Sequence, residues 1–163
     1  MPKTRLGQER RINWLNMVGG RWSQAVVGVL LASTNAAALE FRSVTEPAAI
    51  LYDAPSTKAQ KLFILSQGYP VEVIVRLEAW TKVRDDTGEF AWLENSHLSE
   101  RRTVMVKVAS AEARQAANEN SPVVFTAEKN VFLDLVEIAV GWAKVRHGDG
   151  ATGFVKVSHL WGL

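Results

Sequence analysis

Ala79-Trp80-Thr81-Lys82-Val83-Arg84 returns 62 positions later as Gly141-Trp142-Ala143-Lys144-Val145-Arg146. The correspondence runs without a gap to Ser96-His97-Leu98 against Ser158-His159-Leu160. Eight of the twenty aligned positions are identical, where unrelated segments of average composition share about one. Inside the stretch Thr81 and Val83 alternate with Trp80, Lys82 and Arg84, the period-two pattern of a strand with one buried face. Asp85-Asp86-Thr87-Gly88 carries hairpin-turn chemistry, and Phe90 to Leu93 is the returning strand. A small β unit is therefore written twice, and a repeat of this length implies two domains of about 60 residues.

Working outward, the first unit opens on Ala49-Ile50-Leu51-Tyr52 and is broken by Asp53-Ala54-Pro55-Ser56. It continues with Leu62-Phe63-Ile64-Leu65, ended by Gln67-Gly68, and with Val71, Val73 and Val75 alternating against Glu72, Ile74 and Arg76. In the second unit Val104 to Val108, Val123 to Phe125, Phe132 to Ile138, Trp142 to Arg146 and Gly153 to Val157 repeat that order. Short strands separated by frequent turns predict an all-β fold of two small barrels. Ser110 to Asn118 is alanine-rich and helical on propensity, whereas the repeat register makes it the long loop after the first strand. The predicted boundaries are a lead-in over 39–47, a first domain over 48–102 and a second over 103–163.

Residues 1–38 belong to neither unit. Lys3, Arg5, Arg10, Arg11 and Arg21 precede an apolar run from Ala25 to Ala32 and the triplet Ala36-Ala37-Ala38. This order of positive region, short apolar core and small-residue site predicts a secretory signal peptide cut between Ala38 and Leu39. The apolar run is about half the roughly 20 residues that span a bilayer, so no membrane span is expected in the mature form. A start at Met17 would give a more ordinary leader, and Arg10-Arg11 lies too far from the apolar core to read as a twin-arginine signal. Residues 39–163 hold 14 Lys+Arg and 16 Asp+Glu, a formal charge of −2. The pI of about 9.0 for the whole chain thus reflects the leader and gives no reason to expect nucleic-acid binding. The chain has no cysteine, which excludes disulfides and a Cys/His peptidase centre.

The pattern Gly-Trp-x-Lys-Val-Arg, a turn with Asp-Gly, then Gly-aromatic-Val and Ser-x-x-Leu resembles bacterial SH3-like domains. The second copy carries it on Gly141, Trp142, Lys144, Val145, Arg146, Asp149, Gly150, Gly153, Phe154, Val155 and Leu160. The first carries it on Trp80, Lys82, Val83, Arg84, Gly88, Trp92, Leu93 and Leu98, and is similar to the first domain of exported two-repeat proteins of proteobacteria. The resemblance implies an SH3-type groove formed by Tyr52, Trp80 and His97 in the first copy and by Trp142 and His159 in the second. An aromatic platform suits peptide or glycan ligands; the same rings could instead close a barrel end or pack the two copies together. Arg114 stands at the register of Tyr52, and Ala91 at that of Gly153, so the two copies cannot present identical surfaces.

Other candidates reduce to structure. His97 and His159 recur by duplication and lack further ligands at metal spacing, and His147 is a turn residue; no metal and no cofactor are expected. Gly148 to Gly153 spells G-x-G-x-x-G, but a strand follows where a dinucleotide site requires a helix, so it is a hairpin turn. Asp85, Asp86 and Glu89 are expected to be solvated on an exposed turn, and Arg101-Arg102 to be a charged connector. With no nucleophile and base pair in any known pattern, catalysis is not expected. The resulting expectation is an exported, periplasmic, non-catalytic binding module for a peptidoglycan-type peptide or glycan. The alternative is docking to an envelope protein, as an accessory subunit with no small ligand.

Overall fold

The computed structural model describes residues 39–163; the signal-peptide reading of residues 1–38 lies outside the described residues. The first sheet contains β1 (Phe41–Val44), β2 (Ala48–Tyr52), β3 (Lys61–Ser66), β4 (Pro70–Arg76), β5 (Trp80–Arg84), β6 (Phe90–Glu94) and β7 (Leu98–Ser99), with a 3-10 turn at Asn95–His97. The second contains β8 (Thr103–Val106), β9 (Ser110–Arg114), β10 (Val123–Glu128), β11 (Phe132–Ala139), β12 (Trp142–Arg146), β13 (Thr152–Lys156) and β14 (Leu160–Trp161), with a 3-10 turn at Val157–His159. The strand orders are β3-β2-β6-β5-β4-β1-β7 and β10-β9-β13-β12-β11-β8-β14, the same path taken twice. The two tandem all-β domains expected from the repeat are present.

Each domain closes on its own core. Leu51, Val71, Val83 and Leu93 fill the first, and Val104, Val106, Leu133, Val145 and Val155 the second. Val83 and Val145 point inward as the alternation requires, leaving Trp80 and Trp142 half-buried on the outer face. Thr81 shares the inner face with Val83, and its hydroxyl donates to Asn95 Oδ1 at 2.6 Å, so its burial leaves no polar group unpaired.

Four sequence expectations are corrected. First, the segment 39–47 is no separate lead-in, because Phe41–Val44 is a buried strand paired with β4 and β7. Its counterpart is β8, so Val104 and its neighbours match β1 and not Ala49–Tyr52. Second, Ser110–Arg114 is a strand and not loop. Ala111 and Ala113 are wholly buried while Ser110 and Glu112 face out, an alternation that alanine's helical preference hides. Gly153 admits this strand closely, since a Cβ there would stand 2.9 Å from the Ala113 Cβ.

Third, the valine alternation does not run through β4. A bulge between Val73 and Val75, repeated between Leu135 and Glu137, shifts the pleat and leaves Val75 exposed. Glu72 is buried on this strand and accepts from Arg84 Nε at 2.7 Å. Fourth, the Asp85 carboxylate is not solvated. It is 7% exposed, and its Oδ1 accepts from Thr87 N (2.9 Å), Thr87 Oγ1 (2.7 Å) and Glu89 N (2.9 Å). It thereby organises the turn that Gly88, at φ +93°, completes. Asp86 accepts from the Tyr69 hydroxyl, while Glu89 remains exposed.

The barrels pack on each other through aromatic and hydrogen-bonded contacts. Phe41 meets Trp161 edge to face at 5.2 Å and Tyr69 meets Phe132 at 5.7 Å. Trp161 Nε1 donates to Pro70 O at 3.2 Å. Thr103 N donates to Ser43 Oγ at 3.1 Å, and Thr103 Oγ1 donates to Gly68 O at 2.6 Å. The connector takes part: Arg102 Nη2 donates to Gly162 O at 2.9 Å, and its guanidinium lies 5.7 Å from the Phe41 ring centroid.

Candidate functional site

The two grooves inferred from the resemblance occupy the outer faces of equivalent strands, but their chemistry differs. In the second barrel Trp142 begins β12, His159 ends the 3-10 turn, and both line a cavity of about 310 Å³. The cavity is completed by Glu112 and Arg114 of β9, Glu119 of the following loop and Lys156 of β13. The outward alternation of β9 places Glu112 and Arg114 there, which the reading of this segment as loop concealed. Arg114 pairs with Glu112 and donates through Nη1 to Ser121 O at 2.7 Å. Lys156 Nζ donates to Glu119 Oε1 at 2.6 Å, and this hydrogen bond holds the Glu119 carboxyl below its ordinary value. One aromatic wall, an imidazole and two ion pairs thus face a single concavity. Such a lining offers both donors and acceptors beside an apolar ring.

In the first barrel Tyr52 takes the place of Arg114 and Ile50 that of Glu112. Tyr52 is only 6% exposed and meets Trp80 edge to face, with centroids 5.5 Å apart and planes at 87°. The structure therefore brings Tyr52 and Trp80 together, as packed partners. His97 ends its 3-10 turn, where its carbonyl accepts from Thr45 N at 2.9 Å and its Nδ1 is buried without a hydrogen bond. The ring pairs of the described residues join Tyr52 with Trp80 and leave His97 out. Where the first copy packs two aromatics edge to face, the second opens a charged cavity.

The glycine-rich hexapeptide lies in the turn between β12 and β13 and runs into β13, as expected. His147 N donates to Ala151 O at 2.8 Å, Asp149 Oδ1 accepts from Ala151 N at 2.8 Å, and the His147 ring lies 3.1 Å from the same carboxylate. Among the described residues no group of three or more His, Cys, Asp or Glu side chains could hold a metal. No helix among them is long and apolar enough to cross a membrane.

Among solved structures the chain is similar to two proteins of Trichomonas vaginalis, NlpC2 and NlpC1, and to an NlpC/P60 family protein from Bacillus cereus ATCC 10987. Identities are 16%, 16% and 13%, with TM-scores of 0.36, 0.36 and 0.35. The alignments cover 76%, 79% and 75% of this chain and 48%, 48% and 56% of those proteins, so the chain spans about half their length. No curated protein matches it. A family description, bacterial SH3 domain, matches twice, over residues 45–100 and 107–162, each match starting just after the strand, β1 or β8, that opens the barrel. With both barrels covered, the chain belongs to the bacterial SH3 domain family.

Proposed function

We propose that this protein is an exported, periplasmic binding module, without catalytic activity, that holds a peptidoglycan-type peptide of the cell envelope in the Trp142 groove. Bacterial SH3 domains are commonly cell-wall binding modules and are typically non-catalytic. The single observation that carries the reading is the second groove's lining. Trp142 supplies apolar area at low entropic cost, while Arg114 and Lys156 face carboxylates and Glu112 and Glu119 face ammonium groups. Stem peptides bear both kinds of charge, and that favours a peptide over a neutral glycan. Since Tyr52 covers the corresponding place in the first barrel, one peptide binds per chain. The export half of the proposal rests on the leader pattern of residues 1–38, and mass spectrometry of the mature protein tests it through a terminus at Leu39.

The binding half is tested by incubating the protein with insoluble wall sacculi and assaying the pellet. Retention there that is lost on Trp142→Ala supports it; protein left wholly in the supernatant overturns it. A second reading, docking to an envelope protein, is favoured by the apolar tip of the β11–β12 hairpin. Ile138 is 55% exposed there and Val140 fully so, more apolar exposure than a solvated hairpin requires. A pull-down from envelope extract with and without Val140→Asp distinguishes this reading, since the substitution leaves the Trp142 groove intact.

A further inference from the structure

The cleft between the barrels holds a second concentration of charge, which the Trp142 groove does not use. Arg101, in the connector, donates through Nε and Nη2 to Asp134 Oδ1 at 2.8 and 2.5 Å. Asp134 on β11 is the cross-strand partner of Arg146 on β12. These three side chains line a cavity of about 250 Å³ whose opposite wall is Gln67-Gly68 of the first barrel. A neighbouring cavity of about 170 Å³ shares Gln67, Gly68, Arg101 and Thr103 with it, so Arg101 borders both lobes of one cleft. Thr45 lines the smaller lobe, and its hydroxyl is buried without a hydrogen-bond partner among the described residues.

The charge does not balance. Two guanidinium groups face one carboxylate, and Arg146 has no ion-pair partner among the described residues. Of the ionisable chain neighbours, His147 beside Arg146 is engaged with Asp149 and Glu100 beside Arg101 with Arg42. Guanidinium forks match the planar oxygens of carboxylates and the oxygens of phosphates.

We propose that this junction cleft is an anion site for a carboxylate or phosphate group, held by Arg101 and Arg146, with Asp134 as the internal carboxylate that an incoming anion displaces from Arg101. The site draws on the connector and both barrels, so an occupant touches all three and steadies their packing. It is independent of the Trp142 groove.

The test is a titration of the full chain with inorganic phosphate, and separately with acetate, followed by the amide NMR signals of Gln67, Gly68 and Gly148. Asp134→Asn removes the internal competitor and should tighten binding by about fivefold, which is about 1 kcal/mol. Arg146→Gln should weaken it by about as much, and Trp142→Ala should leave it unchanged. A response to phosphate alone assigns a phosphate site, and a response to acetate in addition assigns a carboxylate site. Silence of these three amides with both anions overturns the proposal. So does equal affinity in the Asp134→Asn and Arg146→Gln variants, because a merely structural ion pair gives no gain when its acid is removed.

Discussion

Replacing Trp80 by alanine should cost stability and spare ligand binding, whereas the same change at Trp142 should chiefly weaken binding. Truncating a fully buried aromatic costs about 3–5 kcal/mol. Trp80 is incompletely buried, so less than that applies, ~2 kcal/mol, of which the edge-to-face pair with Tyr52 accounts for about 0.5–1.5 kcal/mol. With a urea slope of about 1–3 kcal/mol/M, the midpoint should fall by about 1 M with the slope unchanged. Trp142 packs on no second aromatic among the described residues, so its loss should cost only about 1 kcal/mol of stability. It should, however, weaken binding to sacculi by about fivefold or more, the mark of an aromatic hot spot. Urea titration and co-sedimentation on the two variants decide the matter. A Trp80 variant that keeps its midpoint but no longer sediments with the wall would refute the distinction drawn between the grooves.

Other consequences follow from the packing. Gly162→Ala places a Cβ 2.9 Å from Pro70 Cβ and from Thr103 O at φ +104°. It should cost about 1–3 kcal/mol and loosen the barrels from each other, with two unfolding steps expected by calorimetry against one expected for the parent. Asp85→Ala removes the acceptor of three hydrogen bonds in the β5–β6 turn and should lower stability by about 1–3 kcal/mol; an unchanged melting temperature would place the turn's order elsewhere. The Glu119 carboxyl is held low by Lys156, so its contribution is present above the ordinary glutamate range and lost as pH falls through its folded value. Lys156→Gln should remove that part of the acid sensitivity, as measured by thermal melts from roughly pH 7 down to pH 3.

The duplicated core was legible because its signal is local. Trp80, Lys82 and Arg84 against Thr81 and Val83 declare a strand with two faces, Gly88 and Gly150 mark the turn, and both copies say the same thing. Phe41–Val44 escaped notice because its buried Ser43 reads as polar until Thr103 of the other barrel pairs with it. Ser110–Arg114 escaped because setting Val104 to Val108 against Ala49–Tyr52 left this segment at the register of a loop, and only the burial of Ala111 and Ala113 makes its alternation decisive. The departure of Arg114 from Tyr52 was visible as a difference in letters. That it turns a packed aromatic pair into a charged groove was not.

The chain by itself determined two tandem SH3-like barrels and the outward placing of Trp80 and Trp142, since strand periodicity and turn residues act over a few neighbours. Tertiary structure decided which tryptophan has an aromatic partner, which charges converge beside the other, and how Phe41, Pro70, Trp161 and Gly162 join the barrels. Those outcomes depend on side chains as much as 120 positions apart, and contacts at that separation exist only after the strands have paired and the two cores have closed.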